Sequence, residues 1–146
     1  MNTIAEVKIS YKRSREIFSD ININTSSHAR EIFEQIWSDD LEYKEEMYVL
    51  MLDRSNKVLG FNKISTGGTA GTIVDVKILF QLLLKTNTAS FILCHNHPSL
   101  SLKPSAQDLK LTRRVKEVAN FHDINFLDHL ILTSESFYSM ADEGDL

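Results

Sequence analysis

Residues 94–108 read Cys-His-Asn-His-Pro-Ser-Leu-Ser-Leu-Lys-Pro-Ser-Ala-Gln-Asp, between a hydrophobic run and a helix-like segment. In an extended backbone alternate side chains share a face, so His95 and His97 should project to the same side. Asp108 can supply a third ligand if the loop folds back and Ser105 opens the next helix. Three protein ligands leave one tetrahedral position open, which is typical of a catalytic zinc ion rather than a structural one. The stretch therefore predicts a zinc site.

Ser105 and Asp108 also fit a helix capping box, Ser-x-x-Asp, in which the two side chains satisfy free backbone donors. This structural role and metal binding can coexist, because the positive end of a helix favours the ionised carboxylate that a metal needs. The hydroxyl of Ser105 would then lie beside the carbonyl group of a substrate.

The spacing of His-x-His, seven residues and Ser-x-x-Asp resembles the signature of JAB/MPN (JAMM) metalloproteases, and His-Asn-His-Pro-Ser at residues 95–99 resembles the RadC family among them. The resemblance covers roughly residues 40–144. It implies a single α/β domain of the JAB/MPN, cytidine-deaminase-like type, with a mixed β-sheet flanked by helices. It also implies peptidase or isopeptidase chemistry with Zn²⁺ as the cofactor.

A glutamate on an upstream strand completes the family pattern, and Glu45 stands at the matching place, eight positions before Asp53. Alternation by itself cannot choose between Glu45 and Glu46, which lie on opposite strand faces. The resemblance implies that Glu45 takes a proton from the zinc-activated water and delivers it to the leaving amine. Zinc and Ser105 would stabilise the tetrahedral oxyanion.

The sequence departs from the family pattern at Leu100, where the family usually has Gly. A left-handed backbone, which Gly adopts freely, would be strained for Leu. We expect this loop to follow an altered path with ordinary backbone angles. Leu100 and Leu102 would form an apolar lip beside the zinc.

Hydrophobic periodicity predicts strands that alternate with helices. The strand-like segments are 4–11, 47–52, 57–64, 90–94, 124–133 and 137–140, and the helix-like segments are 29–37, 75–85 and 105–120. Turn-forming residues 53–56 predict a hairpin in the middle of the sheet. Ser26 or Ser27 would cap the first helix. Residues 65–72 are Gly-rich but lack the Gly-Lys-Ser/Thr ending of a phosphate-binding loop, so we interpret them as a structural connector.

We divide the chain into residues 1–40, an N-terminal strand and helix that pack on the core, and residues 41–146, the RadC-like JAB/MPN domain. The usual RadC members carry a helical, DNA-binding-like region ahead of this domain. Because 44 residues precede Glu45, we expect that region to be absent here.

Asp128 and His129 interrupt the apolar run 124–132, where unpaired polar groups would be costly. At least one of them should therefore be hydrogen-bonded inside the protein. Asp128 could hydrogen-bond a zinc-binding histidine, although pairing within the core is the simpler interpretation.

Composition narrows the classes of function. The net charge of −4 argues against direct nucleic-acid binding, for which a basic patch is expected. The single cysteine, Cys94, excludes an intramolecular disulfide and the Pro-Cys-x-x-Cys element of zinc nucleobase deaminases. The sequence has no apolar run of about eighteen residues and no signal-peptide pattern, so we expect a cytoplasmic protein without a membrane anchor.

Two functions remain after these exclusions. The first is a zinc-dependent hydrolase that cleaves an amide bond in a peptide or protein substrate, including isopeptide-linked substrates. The alternative is a RadC-like binding module without catalysis, acting in a DNA-repair or mobile-element system. An intact base at Glu45 and an open zinc position would favour the enzyme.

Overall fold

The computed structural model describes residues 3–13, 20–67 and 74–146. Its elements in chain order are α1 (Ser26–Ile36), β1 (Glu46–Leu52), β2 (Val58–Thr66), α2 (Val76–Lys85), β3 (Ser90–Asn96), α3 (Ala106–Phe121), β4 (Asn125–Leu132) and β5 (Phe137–Ser139). The strands form one five-stranded sheet in the order β2-β1-β3-β4-β5. Strands β3 and β4 are parallel, and the other neighbours are antiparallel. The predicted mixed sheet flanked by helices is confirmed.

Helices cover both faces of the sheet, and all seven residues of β1 are accordingly buried. One face packs against α2 and α3 and carries Met47, Val49 and Met51 of β1. The other face packs against α1 and carries Tyr48, Leu50 and Leu52. Strand alternation thus divides the core into two layers.

The predicted hairpin forms between β1 and β2, although β2 is an edge strand and β3 lies at the centre of the sheet. Asp53 stabilises the turn, because its carboxylate accepts hydrogen bonds from the backbone N–H groups of Ser55 and Lys57. Asn56 closes the turn with a φ of 60°, a left-handed conformation that Asn tolerates.

Helix α1 begins earlier than predicted. Its N-cap is Thr25 rather than Ser26 or Ser27, because the Thr25 hydroxyl accepts the hydrogen bond from the backbone N–H of His28. The helix packs on the core through Ile32 and Phe33, as expected.

The predicted N-terminal strand is wrong, since residues 4–11 adopt no strand. Ile4, Val7 and Ile9 are at least 80% exposed. The step of three residues from Ile4 to Val7 breaks the two-residue period, so these three side chains cannot all share one face of a strand.

The predicted connector at 65–72 falls largely on residues outside the described ranges. The division at residue 40 stays a prediction.

No helix in the described parts of the chain combines the length and the apolar character that a bilayer crossing requires.

Candidate metal centre

The parallel β3–α3–β4 unit brings three metal-ligating side chains together. His95 lies near the end of β3, His97 follows the strand, and Asp108 lies in the first turn of α3. The Nε2 atoms of His95 and His97 are 2.9 Å apart. Asp108 Oδ2 lies 3.2 Å from Nε2 of His95 and 3.3 Å from Nε2 of His97. The three predicted ligands therefore form a compact triangle.

This triangle matches the donor geometry of a tetrahedral divalent metal. Zinc bonds of about 2.0–2.1 Å at tetrahedral angles separate ligand atoms by roughly 3.3 Å, close to the separations of 2.9 to 3.3 Å between the three atoms. Two imidazoles and a carboxylate are also the donor types of catalytic zinc sites. His95, His97 and Asp108 could hold a metal ion.

The predicted capping box forms at the start of α3. Ser105 Oγ accepts a 3.0 Å hydrogen bond from the backbone N–H of Asp108, and Asp108 Oδ2 accepts one of 2.8 Å from the backbone N–H of Ser105. Burial opposes ionisation of Asp108, but its interactions with the imidazole rings of His95 and His97 hold its pKa well below its usual range. The cap fixes the position of Asp108, and the neighbouring histidines keep its carboxylate in the anionic form that a metal needs.

A turn orients His97. Its Nδ1 lies 2.7 Å from the backbone carbonyl oxygen of Ser101. Because a carbonyl oxygen can only accept, Nδ1 carries a proton, and in the neutral ring Nε2 then has the lone pair that a metal needs. Burial lowers the pKa of His97, whereas Asp108 and the Ser101 carbonyl raise it, and the net pKa lies above its usual value.

Leu100 corrects the expectation of ordinary backbone angles in this loop. Its φ is 70°, in the left-handed region. The backbone N–H of Leu100 donates to the carbonyl of His97 and closes a tight turn, after which Ser101 folds back onto the His97 ring. The left-handed residue reverses the chain at this point, so the loop keeps the backbone that Gly would favour.

A buried series of hydrogen bonds supports the His95 ring at Nδ1, the nitrogen that faces away from His97 and Asp108. Nδ1 of His95 lies 2.7 Å from Nε2 of His129, and Nδ1 of His129 lies 2.7 Å from Oγ1 of Thr112. The Thr112 hydroxyl donates to the backbone carbonyl of Asp108 at 2.8 Å. His129 is completely buried, and this burial lowers its pKa well below the usual value. Sequence analysis identified neither His129 nor Thr112 as part of the site.

Asp128 does not hydrogen-bond a ligand histidine, which corrects the role considered for it. Its carboxylate accepts hydrogen bonds from Ser139 Oγ at 2.5 Å, from the backbone N–H of Ala141 at 3.0 Å and from that of His129 at 2.7 Å. Burial raises the pKa of Asp128 despite these bonds. The simpler interpretation, pairing within the core, is the one observed.

A β-bulge explains why His129 and not Asp128 faces the metal centre. Phe91 pairs with Phe126, but the next residue of β3, Ile92, pairs with Asp128, so Leu127 is an extra residue in β4. Phe126 packs on the α2/α3 side, and strict alternation would place Asp128 there too. The bulge shifts the alternation by one residue and turns His129 to that side.

Glu45 directly precedes β1, and strand alternation continued back to it predicts that its side chain faces the side of the sheet that carries His95. Met47 pairs with His95, and Glu45, two residues earlier, shares its face by alternation. Glu45 is half-buried and interacts electrostatically with His97. Glu46 is fully buried, and its carboxylate accepts hydrogen bonds from Ser38, Lys63 and Thr66. Glu46 therefore forms a structural ion pair with Lys63, and the role of Glu45 as a base stays a prediction.

Asn96, between the two histidines, fixes the backbone on both sides of Glu45. Its Oδ1 accepts a 2.7 Å hydrogen bond from the backbone N–H of Glu46. Its Nδ2 donates to the carbonyls of Leu41 at 2.7 Å and Lys44 at 2.9 Å. The strand that carries the ligands is thereby tied to the segment that carries Glu45. Sequence analysis assigned no role to Asn96.

This chain is similar to one family of known domains and to several curated bacterial proteins. The model of the family described as RadC-like JAB domain matches residues 23–145. A UPF0758 protein of Flavobacterium johnsoniae is 42% identical over 91% of this chain and 57% of its own length. UPF0758 proteins of Porphyromonas gingivalis and Clostridium acetobutylicum are 38% and 35% identical over 69% and 87% of this chain. The chain spans about half the length of these curated relatives, at 45% to 57%.

Proposed function

Because this chain belongs to the RadC-like JAB domain family, we propose that it is a zinc-dependent metallohydrolase that cleaves an amide bond in a peptide or protein. The observation that carries the proposal is the triangle of His95, His97 and Asp108, and the electrostatic interaction between Glu45 and His97 supports it. Isopeptide-linked proteins belong to the proposed substrate class, and we propose a cytoplasmic setting.

In this proposal, His95, His97 and Asp108 hold the zinc ion and leave a coordination position for substrate or water. The bound metal would supply the Lewis acid that activates water and polarises the scissile carbonyl. The chain itself contributes three preorganised ligands. The Ser101 carbonyl orients His97, and the capping box orients Asp108.

Glu45 is the proposed catalytic base. Its carboxylate would accept the proton of the attacking water and then deliver it to the nitrogen of the leaving amine. The bonds that Asn96 makes to Lys44 and Glu46 hold the backbone of Glu45 in place for both transfers.

Ser105 is the proposed hydrogen-bond donor to the tetrahedral oxyanion. Its oxygen accepts the hydrogen bond from the Asp108 backbone in the capping box, and its O–H group donates to no acceptor among the residues that the structure describes. The side chain is exposed at the start of α3, where a substrate carbonyl can approach it.

The test combines metal analysis with hydrolysis assays. Protein prepared without added metal should contain about one zinc per chain, and it should cleave members of a panel of peptide and isopeptide-linked substrates. His97→Ala should lose both the metal and the activity. Glu45→Gln should keep the metal but lose at least about 100-fold in rate, because an amide cannot accept the proton.

Three outcomes would contradict the proposal. Unchanged zinc content in His97→Ala would refute the ligand assignment. Loss of activity in Glu46→Gln together with full activity in Glu45→Gln would show that the other glutamate is the base. Stoichiometric zinc without turnover of any substrate in the panel would favour the RadC-like binding module over the enzyme.

A further inference from the structure

We infer that His129 and Thr112 are positioning residues that lock His95 in the tautomer able to bind a metal. The inference rests on the proposed metal site and adds two residues from α3 and β4 to it. It starts from the buried chain that runs from the Asp108 carbonyl through Thr112 and His129 to His95.

The direction of this chain follows from its last acceptor. A backbone carbonyl has no proton, so the 2.8 Å contact between Thr112 Oγ1 and the Asp108 carbonyl requires the hydroxyl of Thr112 to donate. The Thr112 oxygen must then accept from Nδ1–H of His129 at 2.7 Å. A neutral imidazole with its proton on Nδ1 has a lone pair on Nε2. Nε2 of His129 therefore accepts the proton that Nδ1 of His95 donates at 2.7 Å.

The direction of these hydrogen bonds determines the tautomer of His95 at the proposed metal site. With its proton on Nδ1, His95 presents the lone pair of Nε2 to the triangle that it forms with His97 and Asp108. If the chain ran in the opposite direction, Nε2 of His95 would carry the proton and could not bind a metal. The carbonyl of Asp108 thus sets the tautomer of His95, while the carboxylate of the same residue supplies the third ligand.

The buried surroundings maintain this direction of the hydrogen bonds. His129 is completely buried and Thr112 is 1% exposed, so solvent does not compete for their hydrogen bonds. The remaining contact of the Thr112 hydroxyl is Sδ of Met140 at 3.5 Å, a weak acceptor compared with a carbonyl oxygen.

The experiment reads the tautomer of His129 in metal-free protein at a pH where its ring is neutral, from the ¹⁵N chemical shifts of the ring nitrogens. The wild type should show the proton on Nδ1. Thr112→Ser retains the hydroxyl and should show the same tautomer. Thr112→Val is nearly isosteric but has no acceptor for Nδ1–H, so the proton should move partly or wholly to Nε2.

Zinc affinity, measured by competition with a chelator, provides the second readout. Thr112→Val should bind zinc about 10- to 100-fold more weakly than the wild type, as is typical when the hydrogen-bond support of a ligand histidine is removed. Thr112→Ser should bind zinc within a few-fold of the wild type. Thermal unfolding of both variants identifies any general loss of structure.

A proton on Nε2 of His129 in the metal-free wild type would overturn the inference, and this measurement needs no variant to fold. Wild-type tautomer and zinc affinity in Thr112→Val would also overturn it. Because neither readout uses substrate, the expected tautomers in a protein without hydrolysis would contradict the proposed function alone.

Discussion

Leu100 carries backbone strain at a position next to the metal centre. A non-glycine residue in the left-handed region costs roughly 1–2 kcal/mol, and Leu100 has a φ of 70°. Leu100 is 43% exposed, so burial offsets only part of this cost. The reversal of the chain is retained because it brings the Ser101 carbonyl to His97.

Leu100→Gly should therefore stabilise the protein. Relief of the strain exceeds the entropy that Gly adds to the unfolded chain, which leaves a net gain of about 0.5–1 kcal/mol in the free energy of unfolding. Denaturant unfolding measures this gain. Leu100→Ala is the matched control, since it removes the side chain but keeps the strain. A destabilised Leu100→Gly variant would show that packing of the leucine outweighs the backbone cost.

Glu46 is a buried glutamate whose desolvation is offset by hydrogen bonds from neighbouring side chains. Burial raises the pKa of Glu46, but the hydrogen bonds from Lys63 and Ser38 outweigh it and hold the pKa below its ordinary value of 4.5. A carboxyl group whose pKa is lower in the folded state stabilises the protein above the unfolded pKa. This contribution is lost as the pH falls through the folded pKa.

Glu46→Gln should consequently destabilise the protein by roughly 1–3 kcal/mol at neutral pH, since the ion pair with Lys63 is lost. The difference in unfolding free energy between wild type and variant should shrink as the pH is lowered below 4.5, because the wild-type carboxyl group also becomes neutral. Denaturant titrations across this pH range measure the trend. A difference that stays constant down to the acid transition would mean that charge on Glu46 does not contribute.

Among the elements, α3 combines a structural cap with a ligand. Ser105 caps the helix and orients Asp108 through the reciprocal hydrogen bonds of the capping box. Helix α1 has a comparable cap, in which the Thr25 hydroxyl accepts from the backbone N–H of His28, but that helix packs on the opposite face of the sheet. The two caps allow helix stability to be separated from the metal centre.

Ser105→Ala and Thr25→Ala should each lower the free energy of unfolding by about 1 kcal/mol, the usual cost of losing an N-cap. Only Ser105→Ala should also weaken zinc binding and slow hydrolysis, because Ser105 orients Asp108 and is the proposed oxyanion donor. Chemical unfolding and chelator competition measure the two effects. Equal loss of zinc affinity in both variants would indicate a global effect rather than one specific to α3.

At the scale of the whole molecule, a metal ion would join β3 to α3, two elements that are separated by the turn at residues 97–105. The ligands approach one another only when the sheet and α3 are packed together. A metal that binds the folded chain and not the unfolded chain shifts the folding equilibrium by mass action.

Zinc at about a thousand times its dissociation constant should add roughly 4 kcal/mol to the free energy of unfolding. For a chain of this size the melting temperature should then rise on the order of 10 °C. Calorimetry of metal-free and zinc-loaded protein measures the shift. His97→Ala is the control and should show little change, and an equal rise in this variant would place the stabilising metal elsewhere.

Local sequence patterns determined most of the secondary structure, the helix cap at Ser105 and the pairing of His95 with His97. The His-x-His spacing, the Ser-x-x-Asp cap and the hydrophobic periods depend on residues within a few positions of each other. The pair at His95 and His97, the capping box at Ser105 and most element boundaries therefore follow from the pattern alone. The strand predicted for residues 4–11 does not form, and Ile4, Val7 and Ile9 have no regular two-residue period.

Tertiary structure decided which residues surround that pattern. The extra residue Leu127 in β4 turns His129 toward the metal centre and Asp128 away from it, and a bulge is a property of two paired strands rather than one. Thr112 joins the site only because α3 packs above β4 at that residue. Leu100 adopts a left-handed backbone because the turn must return Ser101 to His97. The bulge and the Thr112 contact depend on elements distant in sequence, and the Leu100 turn depends on a backbone hydrogen bond within four residues; no hydrophobic period encodes any of them.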